Sequence, residues 1–199
     1  MSPKIRLVRD DDTPALLEIY APIVRETAIS FELAPPDLAQ YRDRIRLTLE
    51  RLPWLVCEDR AAILGFAYAS PFRARAAYQW SVETTVYVSP KHQRRGVARG
   101  LYAALLGCLN LQGFTTALAV IALPNAASVA LHESMGFCRV GMFESIGYKL
   151  DRWHDVGVWC LQLRDRPQTP APPRAIFTWE GSADLTDIFE RAARAIRRP

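Results

Sequence analysis

Hydrophobic and polar residues alternate in the first segment of the chain, KIRLVR at residues 4–9, which predicts a β-strand. An acidic stretch and Pro14 then open a predicted helix over residues 10–24. A second helix is predicted over residues 36–52, ending before Pro53. Its apolar residues recur every three or four positions: Leu38, Tyr41, Ile45 and Leu49.

The central part of the chain changes between strand and helix patterns. Three strands are predicted as antiparallel neighbours, at residues 54–59, 61–72 and 79–89. The following segments predict helix, strand, helix and two strands, at residues 97–113, 115–123, 125–135, 137–150 and 152–163. This order predicts an α/β (α+β) fold with a mixed, mostly antiparallel central sheet and helices on both faces.

The composition changes after Arg166. Residues 167–181 are rich in proline and predict an extended linker, and residues 182–199 predict an amphipathic helix. The apolar face of this helix consists of Leu185, Ile188, Phe189, Ala192 and Ile196. We therefore expect a domain over residues 1–166 that functions without the tail, while the surface to which the tail helix docks is not evident from the sequence.

The overall charge argues against some classes of partner. The chain of 199 residues has a formal net charge of +4, without a concentrated basic face, so we expect no nucleic-acid partner. No apolar run reaches the length of a membrane helix, and no secretory leader is evident, so we expect a cytoplasmic protein with no membrane association. The four cysteines are far apart among apolar residues and predict buried free thiols: Cys57, Cys108, Cys138 and Cys160.

A basic turn separates the strand at 79–89 from the helix at 97–113. It contains Gly96, and Gly100 follows in the first turn of the helix. A glycine-bearing turn before a helix can direct several backbone N–H groups towards a phosphate. The pattern is neither GxGxxG nor the Walker motif, which argues against a dinucleotide or nucleoside triphosphate site. The alternative from the turn alone is an exposed basic loop that uses glycine for a positive φ.

The segment QRRGVA at residues 93–98 resembles the pyrophosphate-binding signature of the GNAT superfamily of acyl-CoA-dependent N-acetyltransferases. Ala98 replaces the more common second glycine. A downstream segment, residues 124–137, resembles the second cofactor segment of that superfamily. Together with residues 19–32, 77–102 and 147–163, these segments resemble phosphinothricin N-acetyltransferases from residue 5 to about 164, whereas the tail departs from the usual family ending.

The resemblance implies acetyl-CoA as co-substrate, with no metal. The residues expected to bind the cofactor are Val86, Val88, Gln93, Arg94, Arg95, Gly96, Val97, Ala98, Arg99, Gly100, Asn125 and Ser128. The backbone amides of residues 94–100 would hold the pyrophosphate, with Gly96 allowing close approach. Asn125 is also expected to cap its helix.

Two residues are expected to be catalytic. Glu83 lies mid-strand on the same face as Thr85 and Tyr87, where burial would raise its pKa and suit a general base. The resemblance places the family's proposed base at Glu83, and the alternative is a surface or arginine-paired glutamate. His132 corresponds to the position from which the departing thiolate is protonated in related enzymes, and the alternative is a histidine that packs near the cofactor without transferring a proton.

The expected substrate-binding residues are Phe31, Arg73, Arg75, Tyr78 and Tyr87. Arg73 and Arg75 are two positions apart in an extended segment and could clamp acidic groups of a small substrate. The three aromatic residues could line the pocket, or alternatively pack in the core. His154 and Asp155 match a family motif, and a structural polar pair is favoured over a catalytic role.

These features together predict acetylation of the α-amine of small amino-acid analogues, such as phosphinothricin, methionine sulfoximine or methionine sulfone. The resemblance also implies a homodimer. Two alternatives stay open: acetylation of protein amino termini or lysines, and an acyl-CoA-binding sensor without catalysis. The arginine pair argues against the first, and the presence of both Glu83 and His132 argues against the second.

Overall fold

A computed structural model of the chain describes residues 3–197. The five helices that it contains over this range are α1 Thr13–Glu26, α2 Leu38–Leu49, α3 Val97–Gln112, α4 Ala126–Ser134 and α5 Ala183–Ala193. The strands are β1 Lys4–Leu7, β2 Trp54–Asp59, β3 Ala62–Pro71, β4 Ser81–Val88, β5 Thr116–Ala122, β6 Cys138–Lys149 and β7 Arg152–Gln162. The strands and helices predicted before Arg166 are all present, with ends shifted by a few residues.

The strands form one seven-stranded sheet in the order β1-β2-β3-β4-β5-β7-β6. All neighbouring pairs are antiparallel except β4 and β5, which are parallel. The parallel pair is the one connected through a helix, α3, as a parallel crossover requires. The predicted mixed, mostly antiparallel sheet is therefore confirmed.

Alternation along the strands places a hydrophobic core on each face of the sheet. In β2, Leu55 and Cys57 join the core beneath α3, whereas Trp54 and Val56 join the core beneath α1 and α2. The prediction that helices cover both faces is confirmed, since one face of a pleated strand packs on each layer.

The parallel pairing of β4 with β5 is short. Only Ser81, Val82 and Glu83 pair, with Thr116, Ala117 and Leu118. Beyond this point β4 continues to Val88 and β5 to Ala122 without a shared ladder. The two strands therefore open a cleft that begins beside Glu83.

The proline-rich segment after Arg166 lies against the domain at several points. The Trp80 Nε1 donates to the Ala171 carbonyl at 2.9 Å, and Arg174 N donates to Gln112 O at 2.9 Å. Ile176 is buried in the core beneath α3. Residues 167–181, which we expected to be a separating linker, are thus held against the structured domain.

The helix expected over residues 182–199 is α5, which ends at Ala193, and residues 198–199 lie outside the described residues. Ser182 caps it through a hydrogen bond from Leu185 N. Its expected apolar face packs in the core beneath α3: Leu185, Ala192 and Ile196 are buried, and Ile188 and Phe189 are partly buried. The surface to which the tail docks is therefore α3 and β1 of the same chain.

All four cysteines are free thiols. Cys57 and Cys108 are buried as expected, but Cys138 is exposed and Cys160 is only partly buried. Cys138 lies on β6, which is exposed along most of its length, and Cys160 is its partner across the ladder on β7. Within residues 3–197, no helix is both long enough and apolar enough to cross a membrane.

Candidate active site

A cavity of about 480 Å³ lies where β4 and β5 separate. Residues of β4, β5, α4 and the loop after α1 line it. At its inner end, Thr84 Oγ1 donates to the Leu118 carbonyl at 3.0 Å and joins the two strands where their ladder stops. Seven of the predicted site residues line this one cavity: Phe31, Glu83, Val86, Tyr87, Asn125, Ser128 and His132.

Glu83 is a half-buried carboxylate in this cavity. Burial raises the pKa of Glu83 above its ordinary value, and the nearby charge of Arg73 opposes that rise. Among residues 3–197, no side chain or backbone group forms a hydrogen bond or ion pair with the Glu83 carboxylate. The carboxylate is thus placed to accept a proton from a group that enters the cavity.

His132 is buried on α4, and both of its ring nitrogens are engaged. Nδ1 lies 2.7 Å from the Ser128 carbonyl, which can only accept, so Nδ1 carries the proton. Nε2 lies 2.6 Å from the hydroxyl of Tyr102. Burial lowers the pKa of His132, which favours the neutral ring and leaves Nε2 as the acceptor from Tyr102.

Tyr102, on α3, connects His132 to β4. Its hydroxyl lies 3.2 Å from both the carbonyl and the Oγ1 of Thr84. The side chain is fully buried, and this burial raises the pKa of Tyr102. The hydroxyl therefore stays protonated, and it donates its single proton to His132 Nε2. Its approach to Thr84 is a close packing contact between α3 and the strand that carries Glu83.

The first turn of α4 also faces the cavity. Asn125 precedes this helix, and its Oδ1 accepts from Ser128 N at 3.1 Å. The predicted helix cap is confirmed. Asn125 and Ser128 both line the cavity.

The basic turn leads into α3, and its backbone has the geometry expected of an anion-binding loop. Arg94 has φ of 60° and Gly96 has φ of 81°, with Gly96 directly preceding Val97, the first residue of the helix. The first N–H groups of a helix lack intrahelical partners, and they carry the positive end of the helix dipole. The side chains of Gln93, Arg94 and Arg99 are exposed, whereas Val97 and Gly100 are buried and Ala98 is half-buried.

Arg95 differs from the other arginines of the turn. Its side chain is half-buried, and it lies close enough to Cys57 to oppose the rise in the pKa of that thiol to about 12. Its guanidinium therefore lies towards β2, so that Arg95 offers the cofactor loop its backbone alone.

The other predicted cofactor and substrate residues divide between the cavity and the core. Val86 lines the cavity, whereas Val88 packs against the core beneath α3. Tyr87 lines the cavity and also packs on Tyr20, with ring centroids 5.1 Å apart. For Tyr87, pocket lining and core packing are thus both present.

Arg73, Arg75 and Tyr78 do not line the cavity with Glu83. β3 ends at Pro71, and the following residues form an exposed loop with a short turn at Ala76–Tyr78, rather than the extended segment we expected. Both arginines border a separate depression with Phe72 and Tyr78. Only Arg73 is near enough to Glu83 to affect its pKa. The expected convergence of the two guanidinium groups in the main cavity is not observed.

Phe31 belongs to a loop that β6 and β7 hold in place. Lys149 Nζ donates to the carbonyls of Val24 and Ser30, both at 2.6 Å, and so joins the last turn of α1 to this loop. Phe31 packs against the backbone of Gly147, where a Cβ would lie 2.0 Å from the Phe31 ring. The loop that brings Phe31 to the cavity is therefore held by a buried lysine that does not line the cavity.

His154 and Asp155 stabilise the hairpin that β6 and β7 form. His154 Nε2 donates to the Lys149 carbonyl at 2.9 Å, and Asp155 Oδ1 accepts from Ser145 N at 2.8 Å. Neither residue lines the cavity with Glu83. This geometry agrees with the structural role favoured from the sequence.

Several cavity residues were not identified from the sequence. They are Tyr20, Ser30, Glu32, Tyr68 and Tyr102. Each lies within a segment whose hydrophobic pattern is that of an ordinary helix, strand or loop, so no local signal distinguishes it. Glu32 is paired with Arg44 at 2.6 Å, which leaves Glu83 as the carboxylate of the described cavity without a cation bound to it. No cluster that could hold a metal ion occurs within the described range.

Comparison with known proteins places the chain in a family. Residues 5–158 match the model of the acetyltransferase (GNAT) domain. The phosphinothricin N-acetyltransferase of Streptomyces viridochromogenes is 41% identical over 173 residues, which are 87% of this chain and 92% of that protein. An L-methionine sulfoximine/L-methionine sulfone acetyltransferase of Salmonella typhimurium is 34% identical over 80% of this chain and 94% of its own length.

A solved structure is also similar over most of its length. The GNAT superfamily phosphinothricin acetyltransferase of Sinorhizobium meliloti, in complex with acetyl-CoA, superposes with a TM-score of 0.81. It is 30% identical in sequence, and the match covers 88% of this chain and 99% of that one. The chain therefore belongs to the GNAT family of acetyltransferases.

Proposed function

We propose that this protein transfers the acetyl group of acetyl-CoA to the α-amine of small amino-acid analogues of the phosphinothricin, methionine sulfoximine or methionine sulfone type. The names of the similar proteins support this substrate class. The observation that carries the proposal is Glu83, a half-buried carboxylate with a raised pKa in the cavity between β4 and β5. A group of this kind is suited to accept the proton of an amine as it becomes acylated.

The loop before α3 fits acetyl-CoA. Positive φ values at Arg94 and Gly96 expose successive backbone N–H groups at the start of a 16-residue helix, which is the geometry that favours a pyrophosphate. We propose that the backbone of Gln93 to Gly100 holds it, and that Val86, Asn125 and Ser128 border the acyl-bearing arm. The thioester supplies an activated acetyl group.

Glu83 is the proposed general base. An α-ammonium must lose a proton before its nitrogen can attack, and Glu83 can take this proton directly or through one water molecule. The raised pKa increases the basicity of the carboxylate. The opposing charge of Arg73 keeps the carboxylate ionised over a wider range of pH.

His132 is proposed to contribute less to the chemistry. The neutral ring donates through Nδ1 and accepts through Nε2, so neither nitrogen has a proton free for the cavity. A thiolate with an ordinary pKa of about 8.5 leaves with little assistance. We therefore propose that His132 mainly holds Tyr102 in place, which favours the non-catalytic alternative given for His132 above.

On the substrate side, Phe31 and Tyr87 are proposed to contact the side chain of the amino-acid analogue, because both line the cavity beside Glu83. Arg73 is proposed to attract the substrate's acidic group. Arg75 and Tyr78 are proposed to contribute less to substrate binding, since they border the neighbouring depression.

The expected setting of the enzyme is also a proposal. Free thiols suit the reducing cytoplasm. A homodimer is proposed because β6 and the start of β7 expose several large apolar side chains: Val140, Met142, Phe143, Ile146, Tyr148 and Trp153. We propose no nucleic-acid or membrane partner.

The decisive experiment measures the release of free CoA thiol from acetyl-CoA with methionine sulfone, phosphinothricin, the common amino acids and short peptides as acceptors. Steady release with the free analogues, and little with peptides, is expected. Preference for peptides would transfer the proposal to protein acetylation. Binding of acetyl-CoA without release from any acceptor would favour the non-catalytic sensor.

A further inference from the structure

The end of the tail lies against the loop that precedes α3. α5 packs along α3, and the chain continues past Ala193 towards the start of that helix. Arg197 N donates to the Arg95 carbonyl at 2.9 Å. The tail end, defined as residues 194–197, thus forms a backbone hydrogen bond with the proposed cofactor loop.

Glycines within α3 and directly before it allow this close approach. A Cβ on Gly96 would lie 2.9 Å from the Ala195 carbonyl oxygen, and one on Gly100 would lie 2.8 Å from Ile196 Cγ1. A Cβ on Gly107 would lie 2.9 Å from Ile188 Cγ2. At about 100° per residue, positions 96, 100 and 107 fall within a narrow stripe on one side of the helix. The glycine stripe therefore fits the tail.

This contact gives Gly96, in the cofactor signature, a second structural role. From its place in the sequence, Gly96 was expected to let a phosphate approach the backbone. In the structure, the Cβ direction of Gly96 points to the tail end, while its positive φ shapes the loop. A substitution at Gly96 would therefore disturb the tail and the loop together, and is a poor test of phosphate binding alone.

We propose that the tail end is a positioning element for acetyl-CoA, because it holds the backbone of Arg95 and Gly96 in the conformation that exposes the N–H groups of the loop. This proposal rests on the proposed function, in which residues 93–100 bind the pyrophosphate. The role is one of positioning, since it acts through the Arg95 carbonyl and the Ile196 contact with Gly100.

The alternative is a tail that only covers the core. In that case any lost apolar contact would lower thermal stability in proportion to its burial, wherever along α3 it occurs. A positioning tail predicts a dependence on place: contacts near Gly96 and Gly100 should affect acetyl-CoA affinity, and the contact at Gly107 should not.

The first test compares three chains: full length, ended after Arg197, and ended after Ala193. Ending after Arg197 keeps every described tail contact, whereas ending after Ala193 keeps α5 and removes the tail end. We expect the Kd for acetyl-CoA, measured by calorimetry, to rise about 10-fold only in the shortest chain, equivalent to about 1.4 kcal/mol. The kcat at saturating acetyl-CoA should change by less than about 2-fold, since no group of the cavity is removed.

The second test uses matched point variants, in case the shortest chain does not fold. Ile196→Ala removes the contact with Gly100. Ile188→Ala is the matched control, because it makes the same isoleucine-to-alanine change at the contact with Gly107. Both should lower Tm, but only Ile196→Ala should weaken acetyl-CoA binding and speed amide hydrogen exchange at residues 95–98 without cofactor. Equal Kd values for the two variants and the full-length protein would overturn the positioning role.

The outcomes separate this inference from the proposed function. If the full-length protein does not bind acetyl-CoA, the proposed function fails. If the full-length protein binds it and Ile196→Ala binds it equally well, the proposed function stands and the tail end is only a part of the core.

Discussion

The polar groups on two sides of the same cavity differ in their hydrogen bonding. On the β4 side, Glu83 is half-buried, and within the described chain no donor holds its carboxylate. On the α4 side, His132 is more deeply buried and uses both ring nitrogens in hydrogen bonds to Ser128 and Tyr102. The two residues were both expected to be catalytic, yet their surroundings suit different tasks.

The difference lies in what each group can still do when substrate enters. A carboxylate with open lone pairs and a raised pKa can accept a proton at once. A histidine with both nitrogens engaged must break an existing hydrogen bond to do the same, and the buried partner would lose its own interaction. The β4 side is therefore suited to chemistry and the α4 side to holding the cavity in shape.

The largest expected effect is at Glu83. Glu83→Gln keeps the size of the side chain and removes its basicity, so kcat should fall on the order of 10²-fold or more. Steady-state release of CoA thiol with methionine sulfone measures this loss. Calorimetry should give an unchanged Kd for acetyl-CoA, because the proposed cofactor loop is untouched.

The pH profile sharpens the same prediction. A base must be deprotonated to work, so kcat/KM should rise with pH through the pKa of Glu83, which burial raises above its ordinary value. Glu83→Gln should lose this acid limb. Near-normal turnover of the variant across pH 6 to 9 would show that the base is elsewhere or that bulk water suffices.

The next largest effect is expected at Arg73, which lies closer to Glu83 than Arg75 does. Arg73→Ala should raise KM for the amino-acid analogue by about 10-fold, the scale of one lost charge-assisted hydrogen bond. It should also move the acid limb to higher pH, because the charge that lowers the pKa of Glu83 is gone. Parallel kinetics of Arg75→Ala provide the matched control.

Arg75→Ala should leave the acid limb in place and have a smaller effect on KM, since Arg75 borders the outer depression. Equal effects of the two substitutions on KM would instead support the paired clamp expected from the sequence. Esterifying the substrate carboxylate adds a further check: it should impair the wild type strongly and Arg73→Ala much less.

These arginines show what the sequence could and could not predict. The order of strands and helices along the chain, the mixed sheet and the mid-strand position of Glu83 follow from local patterns, which the backbone obeys. The anion-binding loop follows from one glycine between a strand and a helix. In each case the relevant property belongs to the backbone or to a regular element.

The remaining features depend on tertiary contacts. Arg73 and Arg75 leave the expected extended geometry because β3 ends at Pro71, and Arg95 lies towards Cys57 instead of the cofactor loop. Tyr102 meets His132 only because α3 and α4 pack on the same sheet. The tail helix was predicted from its periodicity, but its contact with Gly96 and Gly100 joins residues about 100 positions apart. No local pattern carries such information.

A smaller effect is expected on the α4 side. His132→Ala should lower kcat by about 5-fold, which is well below the loss expected at Glu83. The substitution removes a positioning hydrogen bond but leaves the proposed general base in place. Tyr102→Phe should cost about as much, and the double variant little more than either single one, since the two act through one contact. A loss at His132 as large as that at Glu83, with a nearly silent Tyr102→Phe, would instead mean that His132 takes part in proton transfer.

The smallest effect is expected from a substitution at Lys149, which holds the loop that carries Phe31. This substitution tests whether a buried group outside the cavity affects substrate binding. Lys149→Met keeps the unbranched side chain up to its fourth heavy atom and removes both hydrogen bonds, to the carbonyls of Val24 and Ser30. KM for the amino-acid analogue should rise about 3-fold, because the Phe31 side of the cavity loses a fixed position. The Kd for acetyl-CoA should stay unchanged. Lys4→Met, at an exposed position of β1, should change neither quantity. If Lys149→Met lowers Tm but leaves the KM of the analogue unaltered, the loop is held by packing of Phe31 on Gly147 alone, and the buried lysine serves stability only.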